Sequence, residues 1–123
     1  MKKVNDPRHL KRVQIVQALF AESFQSKNTH TDPLLLPIYS VQPNIDTLIE
    51  SSAPQFPLEK IAKIDVAILR LAIYELLFEK KEPEKVIIDE AVELGKEFGG
   101  DGSPSFINGV LGTLLKRREK EKD

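Results

Sequence analysis

Apolar residues recur at three- and four-residue steps through most of this chain, and the recurrence fails in one place, between about residues 26 and 54. A first helix is predicted from Asp6, whose carboxylate can cap free backbone N–H groups with Pro7 at the first helical position, to about Gln25. Leu10, Val13, Val16, Gln17, Phe20 and Phe24 form its core-facing stripe, and Arg8, Lys11 and Arg12 lie together on another side. The strongest helical signal runs from Pro57 to about Lys80, with Ile61, Ile64, Ile68, Leu71, Glu75 and Phe78 on one side and Val66, Leu69, Ile73, Leu76 and Leu77 elsewhere. A helix apolar over so much of its circumference is expected at the centre of the fold. Its charged exceptions, Asp65, Arg70 and Glu75, are then candidates for buried or half-buried pairing.

Two further helices follow. One spans about Glu84 to Phe98 on Ile87, Ile88, Ala91, Val92, Leu94 and Phe98, and stops at Gly99-Gly100, where a left-handed residue without a Cβ is expected. Ser103-Pro104 opens the last, with Phe106, Ile107, Val110, Leu111, Leu114 and Leu115 on its apolar side and Lys116, Arg117 and Arg118 near its end, where cations suit the dipole. In the interrupted stretch, Pro33, Pro37 and Pro43 recur too closely for a helix to establish itself before Pro43. Leu34, Leu35, Leu36, Ile38 and Tyr39 still call for burial, so an extended, packed segment is expected there. A short helix from about Ile45 to Ser51, capped by Asn44, should follow. No stretch alternates as a strand, and the fold class is all-α in one domain, residues 1–123.

Composition changes this picture mainly by exclusion. Eighteen Lys and Arg against 19 Asp and Glu leave a formal charge of −1, so any attraction to nucleic acid must come from local clustering. The absence of cysteine removes disulfides, thiolate catalysis and Cys-based metal sites. Nothing approaches the roughly 20 apolar residues of a membrane span or the apolar core of a signal peptide, so a cytoplasmic protein is expected. His9 and His30 lack the spaced partners of a metal site or an acid–base pair, and Asp89, Glu90 and Glu93 read as the solvated side of a helix. No catalytic residue, metal, cofactor or small-molecule substrate is expected.

Two features resist that plain account. Arg8, Lys11 and Arg12 occupy the first turns of a helix, where the macrodipole disfavours cations by a few tenths of a kcal/mol each; surface solvation, pairing with acidic neighbours and phosphate binding all remain open. Asn108-Gly109 interrupts an apolar run, with Gly112 one turn on, which suggests a close approach by another chain, helix or nucleotide.

Arg8 to Phe20 with its Gln17-Ala18-Leu19-Phe20 ending, Ile64 to Leu76, Pro83 to Gly99 and Phe106-Ile107-Asn108-Gly109-Val110-Leu111 together resemble the transcription antitermination factor NusB family. The resemblance implies two packed helical subbundles, pairing with a small-subunit ribosomal protein, binding of boxA-type single-stranded RNA, and assembly of an antitermination complex on RNA polymerase. By the same resemblance Arg8, Lys11 and Arg12 match a basic first helix that contacts RNA phosphates. Phe20 stands where the family often has a tyrosine, and Asp101, Phe106 and Asn108 match positions near the RNA. Glu75, Glu79, Glu82 and Lys85 match the partner-binding side. Residues 26–54 depart from the family pattern as an irregular, Pro-rich replacement of its second and third helices, so a reduced N-terminal subbundle is expected. Two other functions stay open: a protein-interaction scaffold without RNA binding, and the RNA-binding part of a ribosomal RNA cytosine methyltransferase, which would need a catalytic domain with a cysteine that this chain lacks.

Overall fold

The computed structural model describes residues 6–25 and 32–121, and among them the regular structure is helical throughout. Helix α1 (Pro7–Glu22) starts as its sequence predicts: Asp6 Oδ1 accepts the Arg8 backbone N–H at 2.9 Å, and Pro7 fills the first turn. It closes on Ser23, whose hydroxyl donates to the Phe20 carbonyl.

The proline-rich stretch corrects the expectation of an irregular segment for its described part, residues 32–54. A single helical turn, α2 (Leu36–Tyr39), and an eleven-residue helix, α3 (Gln42–Ser52), occupy it. The physical reason is position: Pro37 and Pro43 sit in the first turns of these helices, where no intrahelical donor is required, so they begin helices rather than break them. Helix α3 therefore starts three residues before Ile45, with Val41 rather than Asn44 at its cap. Leu35 and Ile38 are buried, whereas Leu34 and Leu36 face outward. The residues at 26–31 lie outside the described part of the chain.

The strong helical signal at Pro57–Lys80 resolves into three pieces. A 3₁₀ turn (Leu58–Lys60) leads to buried Ile61 in an extended conformation, then to α4 (Lys63–Tyr74). The last turn, Glu75–Glu79, widens to π-helical geometry and closes at Lys80, which adopts left-handed φ 56° and ψ 39° while its N–H donates to the Glu75 carbonyl at 2.9 Å. Helix α4 is central, packing on α1, α2, α3 and the two helices that follow, α5 (Glu84–Phe98) and α6 (Ser103–Glu121). Its Ile68, Leu69 and Ile73 are completely buried, and with Val16, Ile45, Ile49, Leu94, Ile107 and Leu111 they form one continuous core.

Helices α5 and α6 make a tight hairpin. Gly99 stops α5 in an extended conformation at φ −93°, so the expected left-handed stop is not what the glycine provides. A Cβ at Gly99 would collide with the side chain of Ser103, and one at Gly95 would press on Ile107 Cδ1 at 3.0 Å and on the Pro104 backbone at 3.3 Å. Both glycines are there for close approach. Ser103 is buried; its Oγ accepts the Gly100 N–H at 3.0 Å and its own N–H donates to the Gly100 carbonyl at 3.0 Å, which fixes the corner.

Candidate functional site

The chemistry of this surface begins with a rotation of α1. Its buried residues are His9, Arg12, Ile15, Val16 and Leu19, whereas Leu10 and Phe24 are 48% and 62% exposed. The predicted stripe is therefore displaced around the helix, because two of the inward positions carry polar side chains that a hydrophobic count passes over.

Those two side chains meet acidic residues from the other half of the chain. Arg12 Nε and Nη2 donate to Glu75 Oε2 and Oε1 at 2.9 and 2.7 Å, a two-pronged pair, and Nη2 also donates to Glu82 Oε2 at 2.7 Å. Its Nη1 lies 3.4 Å from Glu90. Burial works against the Arg12 charge, but the Glu75 and Glu82 carboxylates outweigh it and hold the guanidinium further above its ordinary value. One turn earlier, His9 Nδ1 is 3.1 Å from Glu90 and Nε2 is 2.8 Å from Glu97. Arg8 lies outside, 70% exposed at its side chain, with Nη1 3.3 Å from the second oxygen of Glu82. Lys11 is also exposed.

Several sequence-based expectations change accordingly. Arg12 does not stand with Arg8 and Lys11 on an open basic face; it is buried because it bridges α1 to the π-helical turn. Glu75, expected on a partner-binding side, is buried as the other half of that bridge. Glu82 is half-buried between Arg8 and Arg12, Glu79 is half-buried near Lys81, and Lys85 is exposed and pairs with Asp89 at 3.3 Å. Glu90 belongs to the network rather than to the solvated side of α5. The pairings anticipated for Arg70 and Glu75 exist: Arg70 Nε and Nη2 donate to Asp46 at 2.9 and 3.0 Å. Asp65 is buried without a hydrogen-bond partner for its Oδ1.

The remaining candidates are dispersed. Phe20 lies twelve positions beyond Arg8, about 18 Å along α1. It is half-buried and edge-on to Phe24, whose ring carries Lys63 Nζ at 5.6 Å from its centroid. Asp101 is exposed in the α5–α6 corner. Phe106 and Asn108 are two positions apart on α6, hence about 200° apart around it. Phe106 packs edge-to-face on Phe56, with centroids 5.8 Å apart, whereas Asn108 lines a shallow groove of about 940 Å³. Asp6, Asp89, Glu90 and Glu93 make that groove acidic, against Lys96 alone. No heavy atom would lie within 4 Å of a Cβ built at Gly109 or Gly112, so no other part of the described chain makes the close approach that their sequence suggested.

Among the described residues no group of three or more His, Asp or Glu side chains is arranged to hold a metal ion, and no helix is long and apolar enough to cross a membrane. The fold and this surface define an all-helical protein whose described chemistry is concentrated on a charged helix face, with aromatic side chains scattered around it. Comparison with known proteins narrows the class. The NusB family model matches residues 10–116, and the chain belongs to the NusB family. It is similar to the transcription antitermination protein NusB of Roseiflexus castenholzii, 49% identical over 82 residues that cover 64% of this chain and 58% of that relative. The chain thus spans little more than half the length of that relative. The protein of the same description from Caldicellulosiruptor saccharolyticus is 43% identical over 89 residues, 72% of this chain and 68% of the relative. A solved structure of T. maritima NusB superposes with a TM-score of 0.79 at 31% identity, covering 100% of both chains.

Proposed function

We propose that this protein acts by binding rather than catalysis, as a cytoplasmic transcription antitermination factor that engages boxA-like single-stranded RNA together with a small-subunit ribosomal protein and helps a complex assemble on RNA polymerase. The observation that carries this is the similarity over most of the chain to relatives described as transcription antitermination protein NusB. The RNA side is assigned to Arg8 and Lys11, which remain exposed on the first turns of α1, with Phe20, Asp101, Phe106 and Asn108 meeting different nucleotides. Arg12 supports this side from within by holding α1 in place. The protein-partner side is assigned to Glu79, Glu82 and Lys85, with Glu75 supporting their turn from beneath.

Anisotropy of a labelled boxA-like RNA and a scrambled control, with and without the ribosomal protein, tests the assignment. Binding should be weak alone, and tighter and sequence-selective with the partner. Arg8→Glu with Lys11→Glu should weaken it and lower the slope of log affinity against log salt by about 1.4, at about 0.7 for each lost single-strand phosphate contact. Unchanged affinity and slope would remove α1 from the interface. A second reading, a scaffold that binds protein only, is favoured by one observation: the acidic network occupies Arg12 and shares Glu82 with Arg8. It requires no RNA binding by the folded protein at low salt, with partner binding intact.

A further inference from the structure

Phe56 has no role in the surface assigned so far, and it is one of the exposed phenylalanines, with Phe24 and Phe78. It lies in the turn Pro54-Gln55-Phe56-Pro57 and is 45% exposed. The turn is stiff: prolines flank it, the Phe56 N–H donates to the Ala53 carbonyl at 3.0 Å, and Glu50 Oε2 accepts the Leu58 N–H at 3.2 Å, tying it back to α3. Arg117 donates to the Ser51 carbonyl at 2.6 Å, bringing a guanidinium to the root of the same turn. A large apolar ring is thus held in water by rigid backbone, where a flexible loop could have folded it away.

The ring is placed beside Phe106, at 90° and 5.8 Å between centroids. In an edge-to-face pair one ring presents its edge to one face of the other, so at least one face of Phe56 is left uncovered by Phe106. Phe106 itself is half-buried against the core, so it fixes the position of Phe56 while offering limited area of its own. Two aromatic rings on fixed supports match what unpaired bases stack on. The Asn108 side of α6 borders a groove of carboxylates that disfavours phosphate, so a nucleotide at Asn108 presents its base there and its backbone elsewhere.

We infer that Phe56 is a base-stacking residue, which takes an unpaired nucleobase next to Phe106 and extends the RNA path from Phe106 across the α3–α4 connection. This rests on the RNA-binding function proposed above. Stacking reads the π face common to all bases, so Phe56 adds affinity with little sequence preference.

The chain contains no tryptophan, so Phe56→Trp places a sole indole reporter at the site. Titrating that variant with a boxA-like RNA at low salt should quench its emission saturably, at the affinity given by anisotropy of the same RNA. Phe56→Ala and Phe56→Leu should each bind on the order of tenfold more weakly with an unchanged salt slope, because no cation is removed. The leucine variant keeps apolar bulk against Phe106, and thermal unfolding of both variants verifies that they are folded. If the wild type binds RNA but both variants bind within about twofold of it, and the indole does not respond, Phe56 only packs and the inference fails while the RNA function stands. If the folded wild type binds no RNA at low salt, with or without the ribosomal protein, the RNA function fails and this assignment falls with it.

Discussion

Two arginine–carboxylate clamps of nearly the same geometry hold this bundle together, and they differ in where they stand. Arg12–Glu75 joins α1 to the end of α4 with both side chains less than one-tenth exposed, whereas Arg70–Asp46 joins α4 to α3 with side-chain exposures of 14% and 22%. The first has traded water for Glu82 and Glu90; the second keeps part of its hydration. A buried pair of this kind contributes little net stability over apolar residues of the same shape, but it leaves a desolvated charge behind when broken. The inner clamp should therefore specify how α1 docks, and the outer one should behave as an ordinary strong hydrogen-bonded pair.

The largest effect should come from Arg12→Ala, which strands the Glu75 carboxylate in the interior: a loss of about 3–5 kcal/mol in denaturant unfolding, with loosening of α1 in hydrogen exchange. Combining Arg12→Met with Glu75→Leu should recover most of that loss, since no unpaired buried charge remains at Glu75. A double variant as unstable as the single one would show that the clamp stabilises the fold in its own right. Arg70→Ala should cost about 1–2 kcal/mol, because water can reach the freed Asp46. Its thermal stability should also be the less salt-sensitive, since the wild-type pair it lacks is partly screened. The smallest effect is a gain: Lys80→Gly relieves the left-handed backbone at the end of the π-helical turn and should raise stability by about 0.5–1 kcal/mol, leaving both clamps intact.

The contrast also explains what could be read from the residues. Helices α5 and α6 follow their periodicity because nearly every inward position is apolar, so burial and hydrophobicity agree. Helix α1 breaks that agreement at His9 and Arg12, and a count of apolar residues rotates its face. The signal that locates the true face is the spacing of polar residues: His9 and Arg12 are one turn apart, and Glu90 and Glu97 are two turns apart on α5. The prolines misled for a related reason, since the same residue begins a helix or ends one according to position. Ile61 reads as helical by period but adopts an extended backbone at the junction before α4. The dispersal of Phe106 and Asn108 was legible from helix geometry alone, whereas the stacking of Phe56 on Phe106 joins distant segments that no local pattern relates.

The inner clamp has a kinetic side as well. Arg12 is separated in sequence from Glu75 by 63 residues and from Glu82 by 70, and His9 from Glu90 by 81. The α5–α6 hairpin, by contrast, closes over a corner of a few residues. Loop-closure entropy therefore favours early closure of the C-terminal hairpin over the docking of α1, an order that φ-values at Ile107 and Arg12 would test. On the ribosome α1 is the first described helix to emerge, and Arg12 waits in water until Glu75, Glu82 and Glu90 have followed it.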